Sequence, residues 1–310
     1  MILVNKDQVY EMVSMAEAID AMEWAFVQLS EGHAFVPQRI TLNIPDKNAN
    51  SIVMPAYALE CPYYSVKIVS INYSNPHKGL PLIHATVQVF DASKGNHIAT
   101  LDGNSITAIR TAAASGLATK YLAKKDAKVC AIFGTGVQAK SHMDAMLAVR
   151  DIKQFIIIGR SNESAQKFIQ TYKDDYPLEI GNAESIREAD IICTTTPSQH
   201  PLIDHGDVKK GCHLNVIGSH LPDHREVPTE TIVESKVVVD SMDTCKNEAG
   251  ELLIPILEGK WHFDQVYGEL GELVSAKISG RDSNDEITLF KSVGVAIQDL
   301  AMAKKILEKL

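Results

Sequence analysis

Residues 131–147 read AIFGTGVQAKSHMDAML, and the fold class follows from this stretch. A short apolar run ends at Phe133. The turn Gly134-Thr135-Gly136-Val137-Gln138-Ala139 comes next and opens a helical pattern. A strand, then G-x-G-x-x-G/A, then a helix is the arrangement that cradles a dinucleotide pyrophosphate. Gly134 permits the tight turn, Gly136 lets the backbone approach the phosphates, and Ala139 lets the helix pack closely on the strand. The helix N-terminus adds free N–H groups and a partial positive charge. FIIIG at 155–159 supplies a second strand. IICTT (191–195), HLNVIG (213–218) and KVVVD (236–240) read as later strands with helical or loop material between them. Alternating strand and helix implies a parallel sheet with helices on both faces, an α/β dinucleotide-binding domain of Rossmann type.

The end of the second strand bears on cofactor choice. NAD-specific sites usually place Asp or Glu there to hold the ribose 2′-hydroxyl. This chain has Gly159, Arg160 and Ser161. No carboxylate repels a 2′-phosphate, and a guanidinium can grip one. The expectation is NADP(H) in preference to NAD(H), with NAD(H) still possible.

Upstream the texture differs. Ser14 and Glu17 make a capping box, and Ile19, Met22, Phe26 and Leu29 follow at helical spacing up to Gly32. From Arg39 to Leu101 the segments RITLNI, SIVMPAY, YYSVKIVSI, IHATVQVF and NHIATL read as strands. IPDKNAN, NYSNPHKG and DASKGN separate them as turns. Such spacing implies a mixed or mostly antiparallel sheet. DGNSITAIRTAAASGLATKYLAKKD (102–126) reads as an Ala-rich helix capped by Ser105 and long enough to bridge two domains. ITLFKSVGVAIQDLAMAKKILEKL (287–310) reads as one long amphipathic helix.

At 310 residues the chain has room for two domains and a core that needs no disulfide or metal staple. A formal net charge of −9 argues against a general nucleic-acid binder. No apolar run approaches the ~18 residues of a membrane helix, and MILVNK at the start is too short for a secretory signal. Cys61, Cys130, Cys193, Cys212 and Cys245 are scattered and odd in number, without C-x-x-C. A cytoplasmic protein with core thiols is expected. His220 and His224 have Pro222 between them, His200 and His205 flank Pro201, and Cys212-His213 stands alone, so no zinc-ligand spacing emerges.

Cations are sparse in the first, β-rich part. Arg39 opens one strand, Lys67 lies inside apolar YYSVKIVSI, and Arg110 lies on the Ala-rich helix. A lone charge in an apolar setting is costly to bury without a partner or ligand. Together the three suit a carboxylate clamp with a general acid. A lysine desolvated between arginines loses pKa and becomes a proton donor near neutrality.

On these residues the sequence resembles the ornithine cyclodeaminase/mu-crystallin family over nearly its whole length. The marks are Arg39, MPA (54–56), Lys67, GLP (79–81), DGNSITAIRTAAAS (102–115), GTGVQA (134–139), LNVIGSHLPDHRE (214–226), ELGE (269–272) and TLFKSVG (288–294). The resemblance implies a homodimer whose N-terminal domains pair their sheets into a shared barrel. It implies a substrate-binding and dimerisation domain over 1–117, joined by a returning helix at 294–310, and a Rossmann domain over 118–293. It places Arg39, Met54, Lys67 and Arg110 at the substrate carboxylate and imine. It places Thr111, Gly134, Thr135, Gly136, Val137, Gln138, Thr195, Val216, Gly218 and Ser292 at the cofactor, beside Arg160 and Ser161.

One departure is informative. Cyclodeaminases and the family's alanine dehydrogenases carry a catalytic Asp at the position of His220, and ketimine reductases of the mu-crystallin kind lack it. Asp223, beyond Pro222, is no assured substitute. A second departure is Leu82, where the ornithine enzyme has a Thr facing its substrate. Ornithine cyclisation needs a base to free an amine, whereas reduction of a preformed cyclic imine needs a hydride, an anchored carboxylate and a proton. His220, with an ordinary pKa of about 6.5, can supply or relay that proton. The implied activity is NADPH-dependent reduction of a cyclic ketimine such as Δ1-pyrroline-2-carboxylate or Δ1-piperideine-2-carboxylate, giving L-proline or L-pipecolate. The alternatives are ornithine cyclodeamination with recycled NAD, amino-acid dehydrogenation, and a non-catalytic NADPH-binding protein.

Overall fold

The strands expected between 39 and 101 form one mixed sheet in the computed structural model, which describes residues 1–310 apart from the side chain of Pro76. The chain divides into two units, 1–110 with 295–310, and 111–294. The first opens with β1 (Ile2–Val4), α1 (Lys6–Met12) and α2 (Met15–Ser30), followed by β2 (Ala34–Phe35) and β3 (Ile40–Ile44). Then come β4 (Ala49–Ala58), β5 (Tyr63–Asn72), β6 (Ile83–Asp91) and β7 (His97–Asp102). The order is β1-β7-β6-β5-β4-β2, with β3 also on β4. The β1–β7 pair is parallel and the others are antiparallel. The short run MILV had given no sign of the edge strand β1.

Side chains on a strand alternate between faces. On β5 this buries Ser65, Lys67, Val69 and Ile71. Met54 and Ala56 of β4, and Ala85, Val87 and Val89 of β6, are buried as well. Ser14 accepts from the Glu17 N–H, and the Glu17 carboxylate accepts from the Ser14 N–H, so the expected capping box starts α2.

The helix α3 (Gly103–Leu122) is capped three residues earlier than the Ser105 expected from the sequence. Asp102 is the cap: its Oδ1 accepts from the Ser105 N–H at 2.8 Å and from the Ser105 hydroxyl at 2.6 Å. A carboxylate competes better than a hydroxyl for free N–H groups. The division between the two units falls inside this helix, after Arg110.

The second unit contains β8 (Val129–Phe133), α4 (Val137–Val149), β9 (Gln154–Ile158), α5 (Asn162–Tyr172), β10 (Leu178–Ile180), β11 (Ile191–Thr194) and β12 (His213–Val216). It continues with α6 (Thr229–Val233), β13 (Ser235–Val239), α7 (Met242–Glu248), α8 (Gly250–Leu257), β14 (Gly268–Glu269), α9 (Leu270–Val274) and β15 (Ile287–Lys291). All eight strands are parallel, in the order β10-β9-β8-β11-β12-β15-β13-β14. The chain leaves β8 to one side for β9 and later returns beside β8 as β11. That reversal makes the crevice where open α/β sheets bind ligands.

The segment 287–310 is not one helix. Ile287–Lys291 enters the sheet between β12 and β13, and α10 (Ala296–Leu307) begins only after the Ser292–Val295 link. A strand buried on both faces reads as a continuous apolar run with no period of its own, so it merged with the helix behind it. The helix α10 belongs to the first unit, where it packs on α2 and against β4, β5 and β6. Among the described residues no helix is long and apolar enough to cross a membrane.

Two buried histidines make the second unit acid-sensitive. His142 on α4 faces the Gln138 carbonyl through Nδ1 at 2.8 Å and the Ser115 hydroxyl through Nε2 at 2.9 Å. Burial pushes its pKa down to about 4. Burial, then the nearby Arg281 charge, pushes His213 down to about 3. Both rings are neutral when folded and protonate near pH 6.5 when unfolded. Between pH 6.5 and about 4 the unfolded chain binds more protons, so stability falls on acidification, by up to about 2.7 kcal/mol per pH unit for the pair. Urea midpoints at pH 7 and pH 5 test this, and equal midpoints contradict it.

Candidate functional site

Lys67 points its chain into the buried side of the first unit's sheet and is only 2% exposed. Its Nζ lies 3.1 Å from Asp299 Oδ1, on the face of α10 that packs onto the sheet. Arg110 reaches the same oxygen at 3.7 Å through Nε and donates to Gln298 Oε1 at 2.7 Å through Nη1. Gln298 Oε1 also accepts from the Val295 N–H, which ties the pair to the start of α10. Met54 stands opposite Lys67 in the β4–β5 register and is buried too. Arg39, half-buried just before β3, acts electrostatically on Lys67.

The charge balance of this cluster is uneven. Among the described residues, the buried charged side chains of the first unit are Lys67, Arg110 and Asp299, two cations and one carboxylate. Burial lowers the Lys67 pKa to about 8; Asp299 raises it, and Arg110 and then Arg39 lower it. The result is an ammonium able to give up its proton near neutral pH, in a setting with surplus positive charge. An anion that binds here offsets that surplus. Asp299 and Gln298 were missed in the sequence, where QDL reads as part of an amphipathic helix. A signal was present: Ala296 to Ala303 is otherwise apolar, and a buried lysine calls for a carboxylate.

In the second unit the glycine turn fits a pyrophosphate. Gly134 has φ +115°, a region L side chains avoid, and a Cβ there would come within 2.5 Å of Thr195 Oγ1. Gly136 N-caps α4 with no side chain on the first N–H groups, and nothing lies within 4 Å of where its Cβ would be. Thr135 is half-buried, Val137 is exposed, and Gln138 sits in the first turn of the helix. Ala139 is buried against the sheet, as close helix–strand packing requires. Thr195 donates its hydroxyl to the Phe133 carbonyl at 2.7 Å, which binds the end of β11 to the turn.

Arg160 is exposed at the end of β9, and Ser161 caps α5 by accepting from the Ser164 N–H. Thr111 on α3 and Val216 at the end of β12 are buried. Ser292 is buried after β15 and donates to Asp240 Oδ2 at 2.7 Å. The same oxygen accepts from the Val293 and Gly294 N–H groups, so Asp240 fixes this link. Gly218 follows β12, and His220 lies exposed in the loop after it. The predicted residues therefore separate by unit: Arg39, Met54, Lys67 and Arg110 gather in the first, and the dinucleotide set together with His220 lies in the second.

The profile of the ornithine cyclodeaminase/mu-crystallin family matches residues 1–310. The chain is 36% identical over 314 residues to the Delta(1)-pyrroline-2-carboxylate reductase of Bacillus cereus, covering 100% of this chain and 96% of that one. It is similar to the solved structure of Thermococcus litoralis Delta(1)-pyrroline-2-carboxylate reductase in complex with NADH and L-proline. The TM-score there is 0.95, with 37% identity and coverage of 100% and 97%. An archaeal alanine dehydrogenase dimer with bound NAD aligns with a TM-score of 0.93 and 32% identity over 99% and 95% of the two chains.

Proposed function

Because the chain belongs to the ornithine cyclodeaminase/mu-crystallin family, we propose that it is an NADPH-dependent reductase of a cyclic ketimine, converting Δ1-pyrroline-2-carboxylate to L-proline or Δ1-piperideine-2-carboxylate to L-pipecolate. It is an NAD(P)-dependent oxidoreductase acting on carbon–nitrogen bonds. The observation that carries the reading is the buried Lys67–Asp299–Arg110 cluster, an acid beside an anion clamp.

Arg39 and Arg110 hold the substrate carboxylate, and Met54 and the neighbouring sheet surface receive the ring. Asp299 holds the Lys67 ammonium in place. Lys67 gives its proton to the imine nitrogen as the imine carbon becomes tetrahedral. A reduced nicotinamide, when bound at the second unit, supplies the hydride that the carbon gains. One proton and one hydride turn C=N into CH–NH. Position 220 carries no carboxylate, which supports reduction over a cyclisation that needs a base to free an amine. A His220 imidazole is suited to relay the replacement proton.

For the cofactor, Arg160 at the end of β9 supports NADPH, with NADH accepted less well. Arg160→Ala is expected to raise the NADPH KM about 10-fold, the value of one charge-assisted phosphate contact, and to leave the NADH KM nearly unchanged. Steady-state kinetics with both donors measures this, and a native preference for NADH overturns it. Ile40, Leu42, Ile68 and Ile83 leave apolar surface exposed in the first unit's sheet, and the archaeal alanine dehydrogenase is a dimer. Both support a homodimer, and sedimentation as a monomer at assay concentrations contradicts it. Five free, buried cysteines support a cytoplasmic location, which cell fractionation checks.

A paired assay tests the activity. One arm supplies NADPH and Δ1-pyrroline-2-carboxylate and follows the loss of absorbance. The other supplies L-ornithine with catalytic NAD⁺ and follows proline and ammonia. Fast oxidation with a silent ornithine arm is the expected result. Proline with stoichiometric ammonia means a cyclodeaminase, and silence in both arms with tight NADPH binding means a binding protein.

A further inference from the structure

Among the charged side chains that the second unit buries, Glu226, Glu251 and Lys291, each 0% exposed, form one network that the reaction above does not use. Glu226 accepts four hydrogen bonds. Its Oε1 takes the Thr196 N–H at 2.8 Å and the Thr196 hydroxyl at 2.7 Å. Its Oε2 takes the Gly218 N–H at 2.8 Å and the Thr194 hydroxyl at 2.8 Å. These donors come from the ends of two neighbouring strands, β11 and β12. Lys291, at the end of β15, donates to the Ser219 carbonyl at 2.6 Å and pairs with Glu251 Oε2 at 2.7 Å. Glu251 Oε1 accepts from the Glu226 N–H at 3.1 Å and closes the network.

The segment after β12 is thus gripped twice, at the Gly218 N–H by Glu226 and at the Ser219 carbonyl by Lys291. His220, the next residue, is exposed. The two loops also touch: a Cβ on Gly218 would fall 2.2 Å from the Thr196 backbone N and O and 2.6 Å from Glu226 Oε1. Burying three charges is costly, and an apolar filler would stabilise the fold as well or better. What the charges provide is a fixed geometry at the carboxyl ends of β11, β12 and β15, on the side of the β8 crevice away from β9 and Arg160. A dinucleotide spans such a crevice with its adenosine half on the β9 side and its nicotinamide half on the other.

We propose that Glu226, backed by Glu251 and Lys291, is a positioning residue that sets the nicotinamide end of the cofactor site and the bearing of residue 220. It acts through the Thr194–Thr196 and Gly218–Ser219 segments. The inference rests on dinucleotide binding by the second unit and is independent of which imine is reduced.

Glu226→Gln keeps the shape but sets an amide NH₂ against two donors, so one loop must move. The test measures binding of NADPH and of ADP-ribose 2′-phosphate, which lacks nicotinamide, to the full-length protein. If NADH is the tighter donor, NADH and ADP-ribose are used instead. The expected result is about 10-fold weaker binding of the whole dinucleotide, a lower kcat, and fragment binding unchanged. Thr196→Val removes one hydroxyl donor with little risk to folding and is expected to give a smaller loss with the same selectivity. Equal weakening of dinucleotide and fragment, or no weakening in either variant, overturns the proposal. Wild-type protein that binds neither ligand overturns the dinucleotide reading itself and the proposal with it.

Discussion

Lys67→Ala is expected to lower kcat by about 10²–10⁴-fold, the usual contribution of a general acid, while NADPH still binds with nearly native affinity. Lys67 belongs to the first unit and the dinucleotide turn to the second, so the two readouts separate. The pH profile makes the prediction sharper. The Lys67 pKa is about 8, and the protonated form is the donor, so kcat of the native enzyme falls as pH rises through 8. Asp299 is the group that raises this pKa against burial. Asp299→Asn therefore moves the basic limb to lower pH, with turnover surviving in acid. Wild-type turnover in Lys67→Ala removes the residue from the mechanism. An unmoved limb in Asp299→Asn removes the carboxylate's role in tuning it.

Arg110→Ala is the second large effect. Removing one partner of a buried charge pair costs about 2–5 kcal/mol, which corresponds to a loss in kcat/KM for the imine of about 30- to 4,000-fold. The loss comes mainly through KM, because the arginine holds the carboxylate in ground and transition state alike. Arg110 also lowers the Lys67 pKa, so the basic limb moves upward, opposite to Asp299→Asn. Arg110→Lys is not expected to rescue. Its single ammonium cannot span Gln298, Asp299 and a carboxylate in the fork geometry of a guanidinium. Initial rates across substrate concentration and pH decide this, and an unchanged KM with only kcat reduced contradicts the clamp.

The two sets of candidate residues, one in each unit, differed in legibility. The dinucleotide half was readable because its chemistry is local: Gly134, Gly136 and Ala139 lie within one strand–turn–helix, and each has a backbone reason to be small. Lys67 and Arg110 were readable as anomalies, charges in apolar stretches. Their partner was not. Asp299 lies 232 residues from Lys67, and nothing at either position names the other. Glu226, Glu251 and Lys291 were silent for the same reason, since a charged residue in a loop, in the first turn of a helix or at a strand end ordinarily reads as solvated surface. Ile287–Lys291 was misread because a strand buried on both faces has lost its alternation.

The sequence by itself determined the classes of element, the dinucleotide turn, the family, and which cations were out of place. Only the tertiary structure decided what answers those cations. It laid α10 on the first unit's sheet and so set Asp299 against Lys67. It also brought β11, β12 and β15 side by side and so closed the Glu226–Glu251–Lys291 network. Turns and caps are settled by neighbours in the chain, within reach of a few bonds. The balance of buried charge is settled by neighbours in space, and the energy of an ion pair depends on distance and burial, which no single stretch of sequence contains.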